Sequence, residues 1–415
     1  MSELTRAARS RPISQKIEER MDYPLIFVVA FLLMIGIYAI YVAVSHDYPD
    51  GLVTMVGQQL LWILIGGLIA FTLMFFSNRF LYGLTPFLYV FGLGLMVLPL
   101  VFYNPSLVAA TGAKNWIYVR GVTLFQPSEL MKIPYILMLA RTVDAFHKRH
   151  ESRVWSLGRD LRLLLLLTAL TLPVLVLLGM QHDLGTALVF LAIYAGVVLV
   201  SGVSWKILLP LLLTVVTAFV GFMLIFLSKD GRAFLHQLGM PTYQLNRLVA
   251  WLHPFDYAQT TTYQQAQGQI AIGIGGLWGQ GVNQVELNIP VRESDMIFTV
   301  LAENFGFMGS LALILLYFFL ISRMLMITLK SRNPFYTYIS SGIMMMLLFH
   351  IFENIGAVTG LLPLTGIPLP FISQGGSSMI TNLIAVGLIL SMSYQNKKAE
   401  ETRYSKARMK EVEGD

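Results

Sequence analysis

The stretch IPVRESDMIFTVLAENFGF, Ile289–Phe307, joins a long polar connection to an apolar run. Arg292, Glu293 and Asp295 stand just ahead of that run, and Glu303 falls two turns inside it. If the run is a membrane span, these charges lie at its edge and within it. Ionisable groups at that depth cost free energy unless they are partnered or used. The fold therefore turns on whether the chain around this stretch is built of spans.

It reads that way. The 415 residues are 56% hydrophobic and 13% charged, about half the charged fraction of a soluble domain. Apolar runs of about 20 residues, the length that crosses a bilayer, lie near 23–44, 54–76, 80–102, 126–146, 161–179, 184–201, 205–228, 297–322, 335–359 and 377–395. The expectation is an all-α polytopic membrane protein with about ten transmembrane helices. One domain covers 23–395, between an N-terminal segment, 1–22, and a charged tail, 396–415, expected to be mobile. There are no cysteines, so disulfides and thiolate metal sites are excluded. The first run is long enough to span and lacks a small-residue cleavage site, so it reads as a retained helix.

The formal charge of +6 does not mark a nucleic-acid binder, because the basic residues sit in short segments between runs. Arg6, Arg9, Arg11, Lys16 and Arg20 precede the first span. Arg141, Lys148, Arg149, Arg153, Arg159 and Arg162 follow the fourth, Arg323, Lys330 and Arg332 the eighth, and Lys397 to Lys410 the last. Alternating spans place all of these on one side, and the short connections at 46–51 and 181–183 on the other side lack Lys and Arg. Both termini are expected to be cytoplasmic. The outer side then holds 103–125, the long connection from about 229 to 296, and 360–376. The long connection contains IAIGIGGLWGQG, 270–281, too short to span and expected to lie at the interface or re-enter.

Five stretches carry polar chemistry. In GAKNWIYVRGVTLFQPSELMK, Gly112–Lys132, Pro127 suits a first helical turn behind Gln126, with Ser128 and Glu129 following. Glu129 and Lys132 share a face, as a structural ion pair or as the floor of a cavity. Lys114 and Arg120 lie on the outer side, either solvated or meeting phosphate. In QHDLGTA, Asp183 reads as a helix N-cap or as part of a polar wall. The Gln-, Tyr- and Gly-rich run Thr260–Gly281 reads as a flexible amphipathic loop or a sugar-recognition element. Asp295 reads as a cap or as a general base at the edge of low dielectric, with Arg292 a natural phosphate or carboxylate partner. In GLLPLTGIPLPFISQGGSSM, Gly360–Met379, irregular backbone at membrane depth must be buried or line a cavity. Ser373, Ser377 and Ser378 add hydroxyls there, and Gly375 and Gly376 offer N–H groups ahead of a helix, a place for an anion. Glu353 and His350 are buried titratable residues without an evident role.

With GAKNW, FQPSELMK, QHDLGTA, YQQAQGQIAIGIGGLWGQG, SDMIFTVLAENFGFMG and GIPLPFISQGGSS in this order, the chain resembles the SEDS family of shape, elongation, division and sporulation proteins, the RodA and FtsW type. The resemblance runs from about residue 23 to 395 and looks closer to the elongation branch than to the division branch. It implies a bacterial peptidoglycan glycosyltransferase of the cytoplasmic membrane, active on the outer face. Such an enzyme polymerises lipid II, releases undecaprenyl pyrophosphate, and works with a class B penicillin-binding protein and other elongation-machinery membrane proteins. The family's essential aspartate falls on Asp295, and its QPSE–K polar residues on Gln126, Ser128, Glu129 and Lys132. The chain departs from the family in Pro290–Asp295, where Pro-Glu-x-His-Thr-Asp is usual, at His182 for a usual Pro, and at Gln374 for a usual aromatic.

The implied chemistry is inverting glycosyl transfer with Asp295 as base. The pyrophosphate charge would fall to Lys114, Arg120, Arg292, backbone N–H groups near Gly375 and Gly376, or a divalent cation such as Mg2+ or Mn2+. No metal-ligand motif is visible. Two other readings are a lipid II flippase, for which Glu129, Lys132 and Glu353 would line a polar path, and a non-catalytic scaffold. Polar motifs gathered on one side, with no inverted repeat, favour a surface reaction.

Overall fold

The computed structural model describes residues 20–150, 156–240, 242–256, 262–284, 287–331 and 333–414. Arg6, Arg9, Arg11, Lys16, Arg153, Arg332 and Thr260 of the sequence reading lie outside them. The described chain is almost wholly helical. Eight helices are long and apolar enough to cross a membrane. They are α1 (Tyr23–Asp47), α2 (Leu52–Met74), α3 (Asn78–Val101), α6 (Leu157–Met180), α8 (Trp205–Leu227), α12 (Ile297–Lys330), α13 (Pro334–Val358) and α14 (Gly376–Gly414). The other two expected spans are also helices. α5 (Pro127–Arg149) carries Glu129, Lys132 and Asp144 among its apolar residues, and α7 (Leu184–Val200) is apolar but has only 17 residues. Short helices α4 (Pro105–Thr111), α9 (Gly231–Gln237), α10 (Thr242–Leu252) and α11 (Tyr263–Gly275) fill the connections, with a two-stranded hairpin, β1 (Tyr118–Val119) and β2 (Val122–Thr123).

α14 is the most enclosed span. It lies against α2 through small residues. A Cβ on Gly387 would come within 2.6 Å of Ala70 Cα, and one on Gly66 within 2.7 Å of Leu383. Close backbone approach of this kind replaces the hydrophobic drive that helices lack in lipid. α13 packs on α5 and α7, and α3 on α5, which gathers α5, α7, α13 and α14 around one interior. α8 stands apart. Only Leu208 and Phe226 of its residues are buried, and Phe226 joins Leu235 of α9 and Leu245 of α10 in a small core of their own.

Two sequence expectations change. The tail is a continuation of α14 to Gly414. It is tied down by Lys397 Nζ on the Met21 carbonyl at 3.0 Å and by Arg20–Glu401 at 2.6 Å. The apolar run opened by Ile297 is not one straight span. Gly306 has φ 63° and ψ −156°, which breaks α12 after two turns. The loop after α11 closes the break. Gln280 N–H and Gly281 N–H donate to the Glu303 and Asn304 carbonyls at 2.9 and 3.2 Å, and Phe307 N–H and Met308 N–H donate to the Gly276 and Leu277 carbonyls at 2.9 and 3.1 Å. Backbone groups freed at a break must be satisfied inside the protein. A Cβ on Gly306 would lie 2.5 Å from Gly279 N, so the residue is glycine for both its dihedral and its contact. The 270–281 piece is thus a helix and a capping loop on α12.

Candidate active site

The Asp295 loop is held by hydrogen bonds from other elements. Asn354 Nδ2, on α13, donates to the Asp295 carbonyl and to the Ile367 carbonyl, both at 2.9 Å. Ser373 Oγ donates to the Ser294 carbonyl at 2.7 Å, and Gln374 N–H to the Glu293 carbonyl at 2.9 Å. Val291, His182 and Phe371 take positive φ (56°, 57° and 65°) in the three loops that converge here. Left-handed backbone at bulky residues is strained and persists only where the surroundings impose it, commonly at functional sites.

These loops open on a cavity of about 470 Å3. Asp295 is half-buried and lines it, with Ser294 Oγ donating to Oδ1 at 3.1 Å. Burial holds the carboxyl above the ordinary carboxylate range, opposed by the Ser294 hydroxyl and the Arg247 charge. One side of the cavity is an amide–carboxylate cluster. Asp183 Oδ1 accepts from Thr186 N–H at 3.1 Å, the helix cap, while Oδ2 accepts from Asn115 Nδ2 at 2.8 Å and Gln126 Nε2 at 3.1 Å. Both readings of Asp183 therefore hold at once. The floor is Lys132, 2.6 Å from Glu129 and 2.9 Å from His350 Nε2. His350 Nδ1 lies 2.7 Å from the Met346 carbonyl, which only accepts, so Nδ1 carries the proton and Nε2 accepts from the ammonium. The pair is both a saturated ion pair and cavity floor.

Of the residues singled out from the sequence, Asp295, Gln126, Glu129, Lys132, Asp183, Gly375, Ser377 and Ser378 line this cavity. Ser128 lies just behind, accepting from Gln126 Nε2 at 3.1 Å. The remaining five do not line it. Lys114 turns onto the Tyr103 ring, 4.6 Å from its centroid. Arg120 and Gly121 form the two-residue turn of the hairpin, φ 51° and 90°, which leaves Arg120 exposed at the tip. Arg292 is fully buried and pairs with Glu303 at 3.5 Å. Ser373 is committed to the loop stitching, and its Oγ accepts from Leu369 N–H at 2.8 Å. Gly376 lies under Trp62, where a Cβ would come within 2.7 Å. The Gly375 N–H is taken by Gln59 Oε1 at 3.2 Å, so it is not offered to an anion.

Sequence reading missed Arg247 and Thr365. Arg247, on α10, lines the cavity and donates to the Thr365 carbonyl at 2.9 Å. Its signal was a lone arginine on the amphipathic helix TYQLNRLVAWL inside the long connection. Among the described residues no group of three or more His, Cys, Asp or Glu is placed to hold a metal ion. A divalent cation held there would rest on one or two of the cavity carboxylates, Asp295, Asp183 or Glu129, together with substrate phosphate oxygens.

The family model for cell cycle proteins of the FtsW, RodA and SpoVE type matches residues 23–398. The chain belongs to that family. Among curated members, it is 31% identical over 382 residues to peptidoglycan glycosyltransferase MrdB of Escherichia coli (strain K12), covering 91% of this chain and 94% of MrdB. It is 30% identical over 379 residues to stage V sporulation protein E of Bacillus subtilis (strain 168), covering 90% and 96%. Among solved structures, a peptidoglycan synthase complex described as coordinating polymerization and crosslinking superposes with a TM-score of 0.70 at 32% identity, covering 91% of this chain and 98% of that chain. The rod shape determining protein RodA of Thermus thermophilus superposes with a TM-score of 0.60 at 30% identity, covering 90% and 96%. With its eight apolar spans, this FtsW/RodA/SpoVE chain is a multi-pass membrane protein.

Proposed function

We infer that the chain is a peptidoglycan glycosyltransferase of the elongation type. It transfers the growing glycan from its undecaprenyl pyrophosphate carrier to the 4-hydroxyl of lipid II. The observation that carries the reading is the Asp295 carboxylate, raised in basicity by burial and opening on a cavity that also collects Glu129–Lys132 and the Gln126–Asp183 cluster. Asp295 takes the hydroxyl proton of the acceptor as that oxygen attacks the anomeric carbon. The bond from that carbon to the pyrophosphate oxygen breaks, and its electrons leave with the lipid pyrophosphate. Gln126, Asn115 and Asp183 supply donors and an acceptor for sugar hydroxyls and amides. Arg247 and Lys132 are the Arg and Lys side chains on the cavity wall, and Arg247 takes the pyrophosphate role that Lys114 and Arg120 are not placed to fill. The Lys and Arg distribution supports a cavity on the outer side and both termini in the cytoplasm. Phe219 and Phe222 of the isolated α8 line the cavity's edge, where a polyprenyl tail can stay in lipid. A class B penicillin-binding protein is the expected partner.

The test is polymerisation of labelled lipid II in liposomes, with the class B partner present and its transpeptidase blocked. Asp295→Asn is expected to cut the rate by about 10²–10⁴-fold, the range of a general base, with partner binding intact. Normal chains from the variant would remove Asp295 from the mechanism. Lipid II crossing between leaflets, with no chains from either protein, would favour the flippase.

A further inference from the structure

His350 has no part in the mechanism above, although it is buried within the span α13. A titratable ring at that depth is expected to be partnered or used. Both of its nitrogens are engaged inside the protein. Nδ1 lies 2.7 Å from the Met346 carbonyl, one turn back on α13, and Nε2 lies 2.9 Å from Lys132 Nζ on α5. His350 is not among the residues that line the cavity, whereas Lys132 and Glu129 are. The bond to Lys132 therefore joins a residue behind the cavity floor to a cation on it.

A lysine ammonium carries three N–H donors on a flexible four-carbon stem. Among the described residues Lys132 Nζ makes two hydrogen bonds, to Glu129 Oε1 at 2.6 Å and to His350 Nε2. Glu129 stands three residues before Lys132 on the same helix, so that pair forms without His350. Glu129 alone leaves the ammonium free to turn about its stem. A second acceptor, fixed on another helix, removes that freedom and leaves the third N–H for the cavity. The residue type fits this task. With its proton held on Nδ1 by the Met346 carbonyl, the ring offers Nε2 as an acceptor without a charge. A second carboxylate in its place would make the floor net negative and repel a phosphate. We propose that His350 is a positioning residue of the transferase site, which aims the Lys132 ammonium so that its third N–H meets a pyrophosphate oxygen of a lipid-linked substrate. Polymerisation brings two lipid pyrophosphates together, one on the donor chain and one on lipid II, so Lys132 acts beside Arg247 rather than in its place. His350 acts through Lys132 and touches no reacting atom.

The inference rests on the cavity binding lipid pyrophosphates, as proposed above, and not on Asp295 being the base. The measurement is the affinity of the full chain, in liposomes with its partner, for labelled undecaprenyl pyrophosphate. His350→Leu removes the acceptor and is expected to weaken binding by about tenfold or more, the loss of one charge-assisted contact. His350→Gln carries an amide oxygen close to where Nε2 stands, and it should stay within about threefold of wild type. His350→Asn is one methylene shorter and should behave like His350→Leu. The deciding step repeats His350→Leu in a Glu129→Gln, Lys132→Met background, which has no ammonium to aim. There it should change nothing, because two residues that act as one unit are not additive. Unchanged binding in His350→Leu overturns the proposal. So does a further loss in the double background, which is what a purely structural histidine would give. If His350→Leu fails to fold, His350→Asn against His350→Gln decides, and equal affinities in those two overturn the proposal as well. A wild-type protein that does not bind undecaprenyl pyrophosphate at all would instead sink the parent reading.

Discussion

Among the described residues two ion pairs have both side chains buried, and they differ in what surrounds them. Glu129–Lys132 is 2.6 Å apart, its ammonium also reaches His350, and both residues face the cavity. Arg292–Glu303 is 3.5 Å apart and fully enclosed, and no guanidinium nitrogen of Arg292 makes a hydrogen bond among the described residues. Burial lowers the basicity of Arg292, opposed by the Glu303 charge. A buried pair has to offset the desolvation of two ions, and only good geometry with further hydrogen bonds does so. The first pair has that geometry and an open face, so it is suited to a substrate. The second has no open face and no hydrogen bond from its guanidinium among the described residues, so its charges meet protein rather than a cavity. A charge at membrane depth is thus a candidate site only when its hydrogen bonds and its access to a cavity agree.

That contrast can be broken by experiment. Lys132→Met leaves Glu129 buried and uncompensated, which should cost about 3–5 kcal/mol in stability and abolish polymerisation. Glu129→Gln with Lys132→Met should recover the melting temperature and leave activity absent. For the enclosed pair, Arg292→Met alone should be as destabilising. Arg292→Met with Glu303→Leu should be neutral or stabilising by about 1–4 kcal/mol, and it should polymerise lipid II at close to the wild-type rate. An inactive, well-folded double variant would show that Arg292 does reach substrate.

A smaller effect sharpens the assignment of the base. The Asp295 carboxyl is held above its ordinary range, so the native site keeps its proton to higher pH than a free aspartate. The base must be ionised to act, so the rate should fall as pH drops through that raised value. The acid limb of the pH–rate profile should therefore lie above about pH 4, the value of an unperturbed Asp. The smallest effect expected is at Lys114 and Arg120. Alanine at both should change the rate by less than about threefold, as suits exposed or ring-stacked charges outside the cavity.

Much of this architecture is legible in the sequence, because span length is a one-dimensional signal. Eight of the expected spans recur as long apolar helices, and the other two as helices at the expected places. Three of the polar stretches, FQPSELMK, QHDLGTA and the Asp295 loop, reach one cavity. Direction was not legible. Nothing in IPVRESD tells that Arg292 points inward to Glu303 while Asp295 points to the cavity. That depends on the left-handed turn at Val291, a β-branched residue that composition would not place there. Nor does the sequence tell that Arg120 tops a two-residue turn. Arg247 was passed over because an arginine in a polar connection looks solvated until the fold brings α10 against the 360–366 loop.

The break at Gly306 bears on how the chain is assembled in the membrane. From Phe307 to Lys330 the helix is by itself long enough, at about 1.5 Å per residue, to cross a hydrocarbon core of about 30 Å. The two turns before it are surplus to the crossing, yet they carry Glu303 and adjoin Asp295. The loop that caps them is synthesised first, so its donors at Gln280 and Gly281 are already made when the carbonyls they need emerge from the ribosome. The crossing is thus set by the apolar helix after Gly306, while the Asp295 loop depends on a glycine docked onto the backbone of the preceding loop. A Gly306→Ala chain should accordingly still integrate with ordinary topology while failing to mature into active enzyme.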